Sequence, residues 1–252
     1  MGLVRRGTYD AGIWAGVLRD YPSIPEAFAP DDVVIDVGCH TGSFAEVACS
    51  RGARAVFGYE ANRENFALAV INLAGHRSAH LANVAIWRSD VAPTRLRFTP
   101  HPLDENTGGG SVLFDDERAS SRHHDLSPEV WEPLSSAGPH DRLSAHEVET
   151  LPLDDALRPH RRVRMVKIDA EGAEFPILLT SAELGRVEAV CGEYHQFSDE
   201  QMANLPPQSV VGGARYDWPL LAGFLEDRGF VVHATETVGG RGLFAAERPA
   251  RR

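Results

Sequence analysis

The segment VVIDVGCHTG at residues 33–42 constrains the fold of this 252-residue chain most strongly. Its first three residues are β-branched and continuous, which is typical of a strand covered on both faces in a parallel sheet. Asp36 comes where such a strand should end. Gly38 and Gly42 then let the backbone turn sharply and let a ligand lie against it. The segment therefore predicts a buried strand that ends in a ligand-binding turn.

The residues after this turn extend the pattern. Residues 43–50 are predicted to form a helix, and residues 55–59 a second strand with Glu60 at its carboxyl end. In the nucleotide-binding half of a doubly wound sheet, a carboxylate at the tip of the second strand binds the ribose hydroxyls. A third predicted strand, residues 80–87, carries two further candidates near its end. The candidate cofactor-binding residues are Asp36, Gly38, His40, Gly42, Glu60, Ala61, Asn62, Asn83 and Ala85.

The spacing of the glycines distinguishes two kinds of adenosine ligand. Dinucleotide sites prefer G-x-G-x-x-G, whose middle glycine leaves room for a pyrophosphate, but here His40 stands in that place. Asp36 carries a carboxylate that can reach a ligand ammonium directly or through water. A ligand with adenosine at one end, an amino acid at the other and no phosphate between them is S-adenosylmethionine. The alternative is that Asp36 and Glu60 only cap helices or turns.

Length and composition predict a single domain over residues 1–252, beginning with a leading helical segment at residues 1–30. The net charge of −11 argues against binding to a phosphate backbone, so we expect no nucleic-acid substrate. The amino-terminal residues contain no long apolar run, and the three cysteines lack zinc spacing. We therefore expect a cytoplasmic protein that does not enter a membrane, with a homo-oligomer as an open alternative.

Strand and helix patterns alternate along the chain with one interruption. A leading helix is predicted at residues 9–20 and another at residues 61–73. Residues 95–162 are rich in Pro, Gly, Ser, Asp and His, and a connection this long inside a domain is usually functional or disordered. Only residues 96–98, 112–114 and 148–151 of this insertion have strand character.

The remaining segments complete a sheet. Strands are predicted at residues 163–168, 188–193, 230–235 and 242–246, with helices at residues 175–184 and 218–228. The predicted fold class is α/β: a doubly wound, mostly parallel, seven-stranded Rossmann-like sheet with helices on both faces. The insertion is expected between its third and fourth core strands.

A second block, KIDAEGAE at residues 167–174, makes a family resemblance specific. Together with LPLDDAL at 151–157 and EYH at 193–195, it resembles the FkbM family of S-adenosylmethionine-dependent methyltransferases. DVGCHTG at 36–42, EANRENFALAVINLAG at 60–75 and GGGS at 108–111 share the resemblance. It implies methylation of a hydroxyl on a sugar, polyketide or other natural product. Cys39 and His40 depart from the small and Asn-like residues more usual in the family's first loop.

Methyl transfer to an alcohol needs the acceptor oxygen held behind the methyl group and assistance in removing its proton. In open α/β sheets ligands bind outside the carboxyl ends of the strands, where Asp169, Glu171, Glu193 and His195 are expected. These four are the catalytic candidates. His195 is the preferred general base, because an ordinary histidine is largely neutral near neutral pH.

Simpler interpretations remain open for the same block. Glu171 and Glu174 lie where a helix begins, so either can satisfy its free N–H groups, and Glu174 is left out of the site. His195 can merely cap a strand. Lys167 alternates with apolar residues and is interpreted as an ordinary strand residue.

A metal is a further hypothesis, because Mg²⁺ prefers oxygen ligands and Asp169, Glu171 and Glu193 could bind one. The histidines of the insertion show no zinc spacing and are interpreted as exposed loop residues: His123, His124, His140, His146 and His160.

The insertion is the expected source of acceptor selectivity. Residues 106–111 are glycine-rich and could close over the cofactor, and the residues expected to line or gate an acceptor pocket are Asp115, Asp116, Glu117 and Trp131. A disordered surface loop is the alternative.

Two other classes of function stay open: a nicotinamide-dependent oxidoreductase, and a catalytically silent domain that binds a nucleoside or a protein. An adenine or cytosine N-methyltransferase is disfavoured, because residues 169–172 differ from its Asn/Asp-Pro-Pro-Tyr/Phe motif.

Overall fold

The computed structural model of the chain describes residues 2–101, 103, 105–113, 145–235 and 240–249. They form an α/β fold around a seven-stranded sheet with the strand order β3-β2-β1-β7-β8-β10-β9. The strands are β1 Val33–Val37, β2 Ala55–Tyr59, β3 Ala79–Ala82, β4 Ala85–Trp87, β5 Arg95–Phe98, β6 His146–Pro152, β7 Val163–Ile168, β8 Val187–His195, β9 Val231–Ala234 and β10 Arg241–Glu247. The helices are α1 Asp10–Asp20, α2 Ser43–Ser50, α3 Arg63–Asn72, α4 Leu153–Leu157, α5 Glu174–Leu179, α6 Asp199–Ala203 and α7 Trp218–Glu226.

The large sheet is mostly parallel, as predicted. Strand β10 runs antiparallel to both of its neighbours, and the other pairs are parallel. The chain order β1, β2, β3 moves outward on one side, whereas β7 returns to pair with the other side of β1. The strand order therefore reverses at β1 and β7, and this is where an open α/β sheet binds its ligand.

Two apolar layers cover the central strands, because successive side chains on a strand point to opposite faces. Val34 and Met165 belong to one buried cluster, which includes residues of α1 and α2. Ile35 and Val166 belong to the other, which includes residues of α5 and α7. Truncation of a buried side chain such as Ile35 to alanine costs about 2–5 kcal/mol in protein cores.

The prediction of one continuous strand at residues 80–87 is wrong, because this segment forms two strands, β3 and β4. Strand β3 pairs with β2 in the large sheet, whereas β4 pairs with β6 in a small sheet of order β4-β6-β5. Asn83 lies at the break between β3 and β4, where its side chain donates hydrogen bonds to the carbonyls of Glu60 (2.7 Å) and Ala61 (3.1 Å). The pattern of apolar residues did not reveal this change of sheet.

Two strands predicted within the insertion are confirmed as β5 and β6. The third, residues 112–114, is not a strand in the described part: Ser111 forms an isolated bridge with Thr99, and Phe114 lies outside the described residues. The other predicted insertion residues that lie outside them are Asp115, Asp116, Glu117, His123, His124, Trp131 and His140.

The predicted leading helix is confirmed as α1, and the helix predicted at residues 61–73 is confirmed as α3. Asn62 begins α3 because its side chain accepts hydrogen bonds from the backbone N–H groups of Glu64 and Asn65. Among the helices of the described residues, none is both long and apolar enough to cross a bilayer.

Candidate active site

A cavity of about 480 Å³ lies at the carboxyl ends of the central strands. The cofactor-binding candidates that line it are Gly38, His40, Glu60, Ala61 and Ala85. The catalytic candidates that line it are Asp169, Glu171 and Glu193. Five predicted residues are not among the lining residues: Asp36, Gly42, Asn62, Asn83 and His195. The structure thus brings the two halves of the predicted site together in one cleft.

The glycines of the first turn are required by the protein's own chain. Gly38 has φ +70°, and a Cβ there would overlap the carbonyl oxygen of Asp169. Gly42 has φ +92°, and a Cβ there would lie 3.0 Å from Leu73 Cδ1. His40 also has a left-handed backbone, with φ +52°. Only glycine adopts such conformations without strain, so this turn is tightly fixed.

Glu60 directly follows β2, and its buried carboxylate contacts the glycine turn. Its Oε2 accepts the backbone N–H of His40 at 2.7 Å, and its Oε1 accepts that of Asn62 at 2.8 Å. Burial raises the pKa of Glu60 to about 7, although the two N–H groups oppose that change. A carboxylate oxygen has two acceptor positions, so each oxygen of Glu60 can still accept a ribose hydroxyl.

Asp36 does not face the cavity. Its carboxylate is fully buried and lies 3.3 Å from Lys167 Nζ. Burial raises the pKa of Asp36, and Lys167 partly offsets that effect. The expectation that Asp36 reaches a ligand ammonium therefore has no support in its orientation, and Asp36 acts on the turn through Lys167.

Lys167 was interpreted as an ordinary strand residue, and the structure corrects this. Its ammonium donates to the carbonyl oxygens of Gly38 (2.6 Å) and Val37 (3.3 Å), and its side chain is buried. It therefore clamps the glycine turn. The available signal was a lysine inside a strand predicted to be covered on both faces, since lysine is almost never buried without a partner.

Three carboxylates line the part of the cavity that was predicted to bind the acceptor. Asp169 Oδ2 accepts the hydroxyl of Tyr21 at 3.0 Å. Glu171 has φ +50°, and its Oε2 lies 3.3 Å from His195 Nε2. Glu193 Oε1 lies 3.9 Å from Arg241 Nε. Burial, together with the charge of Asp169, raises the pKa of Glu193 to about 8.

His195 does not line the cavity but contacts Glu171, which does. Its Nε2 faces Glu171, and its Nδ1 lies 3.4 Å from Glu174 Oε2. Burial lowers the pKa of His195, but the charges of Glu174 and Glu171 outweigh burial and raise the pKa well above 6.5. This differs from the expectation of an ordinary imidazole, because the two neighbouring carboxylates favour the protonated form of His195.

Glu174 is buried at the start of α5. Its carboxylate accepts the backbone N–H groups of Ala170 (2.7 Å) and Gly172 (3.0 Å), as expected for a residue that satisfies the beginning of a helix. It therefore fixes the loop that carries Glu171, and it also provides the second charge beside His195.

The magnesium hypothesis has no support. Within residues 2–101, 105–113, 145–235 and 240–249, no group of three His, Cys, Asp or Glu side chains is arranged to hold a metal ion. Glu171 Oε2 lies 3.3 Å from His195 Nε2, and Asp169 Oδ2 accepts the hydroxyl of Tyr21, so both carboxylates already have protein partners.

His146 and His160 are half-buried, which differs from the expected exposed loop histidines. His146 Nε2 lies 3.0 Å from the carbonyl oxygen of Ala61 and its ring packs on Phe98, while His160 packs on Phe57. Both histidines therefore make packing or hydrogen-bond contacts within the fold.

The glycine-rich residues of the predicted lid lie at the cavity. Asn106, Gly108 and Gly110 are among the lining residues. Ser111 Oγ donates to the backbone carbonyl of Glu171 at 2.8 Å. Whether this segment opens and closes stays a prediction.

Helix α1 and the residues that flank it contribute lining residues that sequence reasoning did not assign to the site: Tyr9, Ile13, Val17, Asp20 and Tyr21. No local pattern in the sequence indicated them, because the position of α1 beside α2 and the cavity depends on the complete fold.

Solved structures with a similar fold include the precorrin-6y C5,15-methyltransferase from Geobacter metallireducens, at 11% identity over 99% of this chain and 94% of that chain, with a TM-score of 0.47. EvdMO1 is 11% identical over 98% of this chain and 44% of that chain, with a TM-score of 0.48. The 23S rRNA methyltransferase ErmE is 13% identical over 99% of this chain and 70% of that chain, with a TM-score of 0.45. No curated protein matches the sequence significantly.

The model of the methyltransferase FkbM domain matches residues 36–232, more than half of the chain. The match begins at Asp36 and includes both the glycine turn and the carboxylates of Asp169, Glu171 and Glu193. The chain belongs to the FkbM family of methyltransferases, whose methyl donor is S-adenosylmethionine.

Proposed function

We propose that the protein is an O-methyltransferase that transfers the methyl group of S-adenosylmethionine to a hydroxyl of a small molecule, a sugar or another natural-product intermediate. The observation that carries the proposal is the shared cavity, which is lined by Glu60 on the donor side and by Asp169 and Glu193 on the acceptor side. Membership of the FkbM family argues against a nicotinamide-dependent oxidoreductase.

The residues of the donor side fit S-adenosylmethionine. Glu60 has free acceptor positions for the ribose hydroxyls, and Gly38, His40, Ala61 and Ala85 offer the walls beside it. Four further candidates do not line the cavity but contact or position the residues that do. Asp36 pairs with Lys167, and Gly42 belongs to the glycine turn. Asn62 caps α3, and Asn83 donates to the carbonyls of residues 60 and 61.

For the acceptor side, we assign the general base to Glu193 instead of His195. Glu193 lines the cavity, whereas His195 does not, and a pKa raised to about 8 makes the ionised Glu193 carboxylate a stronger base toward a hydroxyl proton than an ordinary carboxylate. The acceptor oxygen attacks the methyl carbon while the carbon–sulfur bond breaks, S-adenosylhomocysteine leaves, and the acceptor proton passes to the Glu193 carboxylate. Asp169 and Glu171 orient the acceptor, and protonated His195 balances the charge of Glu171.

Charge supports a small-molecule acceptor. The net charge of −11 opposes the approach of a polyanion, and three carboxylates line the acceptor side of the cavity. Neutral polyhydroxyl compounds are complementary to these three carboxylates, since carboxylates accept hydrogen bonds from hydroxyl groups.

The test is incubation of the purified protein with methyl-labelled S-adenosylmethionine and a panel of glycosides, polyketides and phenols, with RNA as a separate arm. We expect labelled methyl ether and S-adenosylhomocysteine in equal amounts for at least one hydroxyl compound, and loss of the product in Glu193→Gln. Labelled RNA, or labelled product at a nitrogen or carbon atom, would contradict the proposal.

A further inference from the structure

The leading segment, defined as residues 3–21, lies outside the residues that match the FkbM domain. It nevertheless supplies Tyr9, Ile13 and Tyr21 to the lining of the cavity. A segment outside the matched domain therefore forms one wall of the site.

The two ends of the leading segment are held by different forces. Val17 and Tyr21 belong to a buried apolar cluster, in which the ring of Tyr21 packs edge-on against Phe44 with centroids 5.6 Å apart. Tyr9, by contrast, is 53% exposed. The carboxyl end of the segment is thus anchored by apolar burial, and its amino end depends on polar contacts.

Asp10 is the centre of those polar contacts. Its side chain is fully buried, and it accepts hydrogen bonds from Arg5 Nε at 2.9 Å and from Thr107 Oγ1 at 2.6 Å. His40 Nε2 lies 3.5 Å from the Asp10 carboxylate and 3.0 Å from Thr107 Oγ1. Burial raises the pKa of Asp10, but the hydrogen bonds from Arg5 and Thr107 outweigh it and hold that pKa at about 2. Burial also lowers the pKa of His40 to about 4, so the imidazole is neutral and can bond to either partner.

Other polar contacts also join the leading segment to the elements around the cavity. Trp14 Nε1 donates to Thr41 Oγ1 at 2.9 Å, and the backbone N–H of Tyr9 donates to the carbonyl of Glu105 at 3.0 Å. Arg5 Nη2 reaches Asn65 Oδ1 at 2.6 Å. Each partner belongs to an element that borders the donor side of the cavity.

From these contacts we infer that the leading segment closes the cofactor site, and that Asp10 is the positioning residue that holds it closed. Asp10 ties the segment to His40 in the glycine turn and to Thr107 beside the glycine-rich residues, so it joins three walls of the cavity. Cofactor bound beneath the segment cannot leave until these contacts separate. The inference rests on the family's methyl donor and not on the identity of the acceptor.

The experiment measures dissociation of S-adenosylhomocysteine from the full chain by surface plasmon resonance. Loss of a hydrogen-bonded charge at a closing contact should accelerate dissociation about tenfold or more in Asp10→Asn. Thr107→Val removes the partner hydroxyl with little change of shape and should act in the same direction. Asp32→Asn is the matched control, because Asp32 is also buried, accepts Arg162 Nη2 at 2.8 Å and does not line the cavity.

Melting temperatures of the three variants separate stability from closure. Faster dissociation in Asp10→Asn and Thr107→Val, together with a wild-type rate in Asp32→Asn, supports the inference. If Asp10→Asn does not fold, the dissociation rate of Thr107→Val is compared with that of Asp32→Asn instead. Dissociation rates within twofold of wild type in Thr107→Val, or equal acceleration in Asp32→Asn, overturn it. Failure of the methyl-transfer assay with unimpaired binding would instead count against the proposed reaction.

Discussion

Asp36 and Lys167 are register partners on the adjacent parallel strands β1 and β7, and Lys167 Nζ lies 3.3 Å from Asp36 Oδ1. Partners in register point to the same face of a sheet, so this ion pair follows directly from the alignment of the two strands. Both side chains are buried, and the lysine also binds the carbonyls of the glycine turn.

Breaking this pair should destabilise the protein strongly. Lys167→Met leaves the Asp36 carboxylate buried without its counter-charge, which costs about 3–5 kcal/mol of unfolding free energy. The double variant Lys167→Met/Asp36→Leu should recover much of that loss, because two apolar side chains replace the whole pair. Urea denaturation followed by circular dichroism measures both. Equal stability of the single and double variants would contradict the expectation that the loss comes from a buried Asp36 carboxylate without its counter-charge.

Binding of S-adenosylhomocysteine should strengthen as the pH rises. Ribose hydroxyls donate to the ionised Glu60 carboxylate, and the pKa of Glu60 is about 7 in the free protein. Binding favours the ionised form, so affinity should increase as the pH rises through about 7 and become constant above it. Titration calorimetry at several pH values measures this. Glu60→Gln should remove the dependence, whereas Glu46→Gln on α2 should retain it.

Tyr21→Phe should lower turnover while leaving cofactor affinity within about twofold. The substitution keeps the ring against Phe44 but removes the hydroxyl that donates to Asp169 at 3.0 Å. Loss of such a hydrogen bond to a charged group costs about tenfold or more in rate if that group orients the acceptor. The measurement is steady-state kinetics with an acceptor found in the methyl-transfer assay. Tyr216→Phe removes another buried hydroxyl, which donates to the carbonyl of Ser209 at 2.6 Å, and should affect stability alone. Turnover reduced equally in both variants would speak against a role for Tyr21.

The stability contributed by His195 should depend on pH. Its pKa is raised in the folded protein, so the contribution is complete below the unfolded-state value of about 6.5 and declines as the pH rises from there through the folded-state value. His195→Gln should therefore lose more unfolding free energy at about pH 6 than at about pH 8.5, by roughly 1–3 kcal/mol. Urea denaturation at both pH values measures the difference. His233→Gln, at an exposed position on β9, should show no such trend, and a pH-independent loss in His195→Gln would contradict a raised pKa.

The donor half of the site was predictable because its residues are close in sequence. A strand, a turn and the tip of the next strand place Gly38, His40 and Glu60 together by local rules, and the structure lines one cavity with them. Four further strands after the insertion were also predicted, since each contains a short run of apolar residues.

The acceptor half depends on contacts between distant parts of the chain. The charge of His195 is set by Glu171 and Glu174 on the neighbouring segment, which a reference pKa does not include. The role of Lys167 follows from the register of β1 and β7, and that of α1 from its packing over the finished sheet. These are properties of the assembled fold; the sequence offered a signal only for Lys167, as a lysine inside a strand predicted to be buried.

The close approach of Gly38 to the Asp169 carbonyl joins the methyl-donor turn directly to the strand end that carries the acceptor carboxylates. The separation between the glycine turn and the backbone that carries Asp169 is consequently set by direct contact between the two segments. An engineer who wishes to change the acceptor should therefore exchange the covering segments and leave the strand ends untouched.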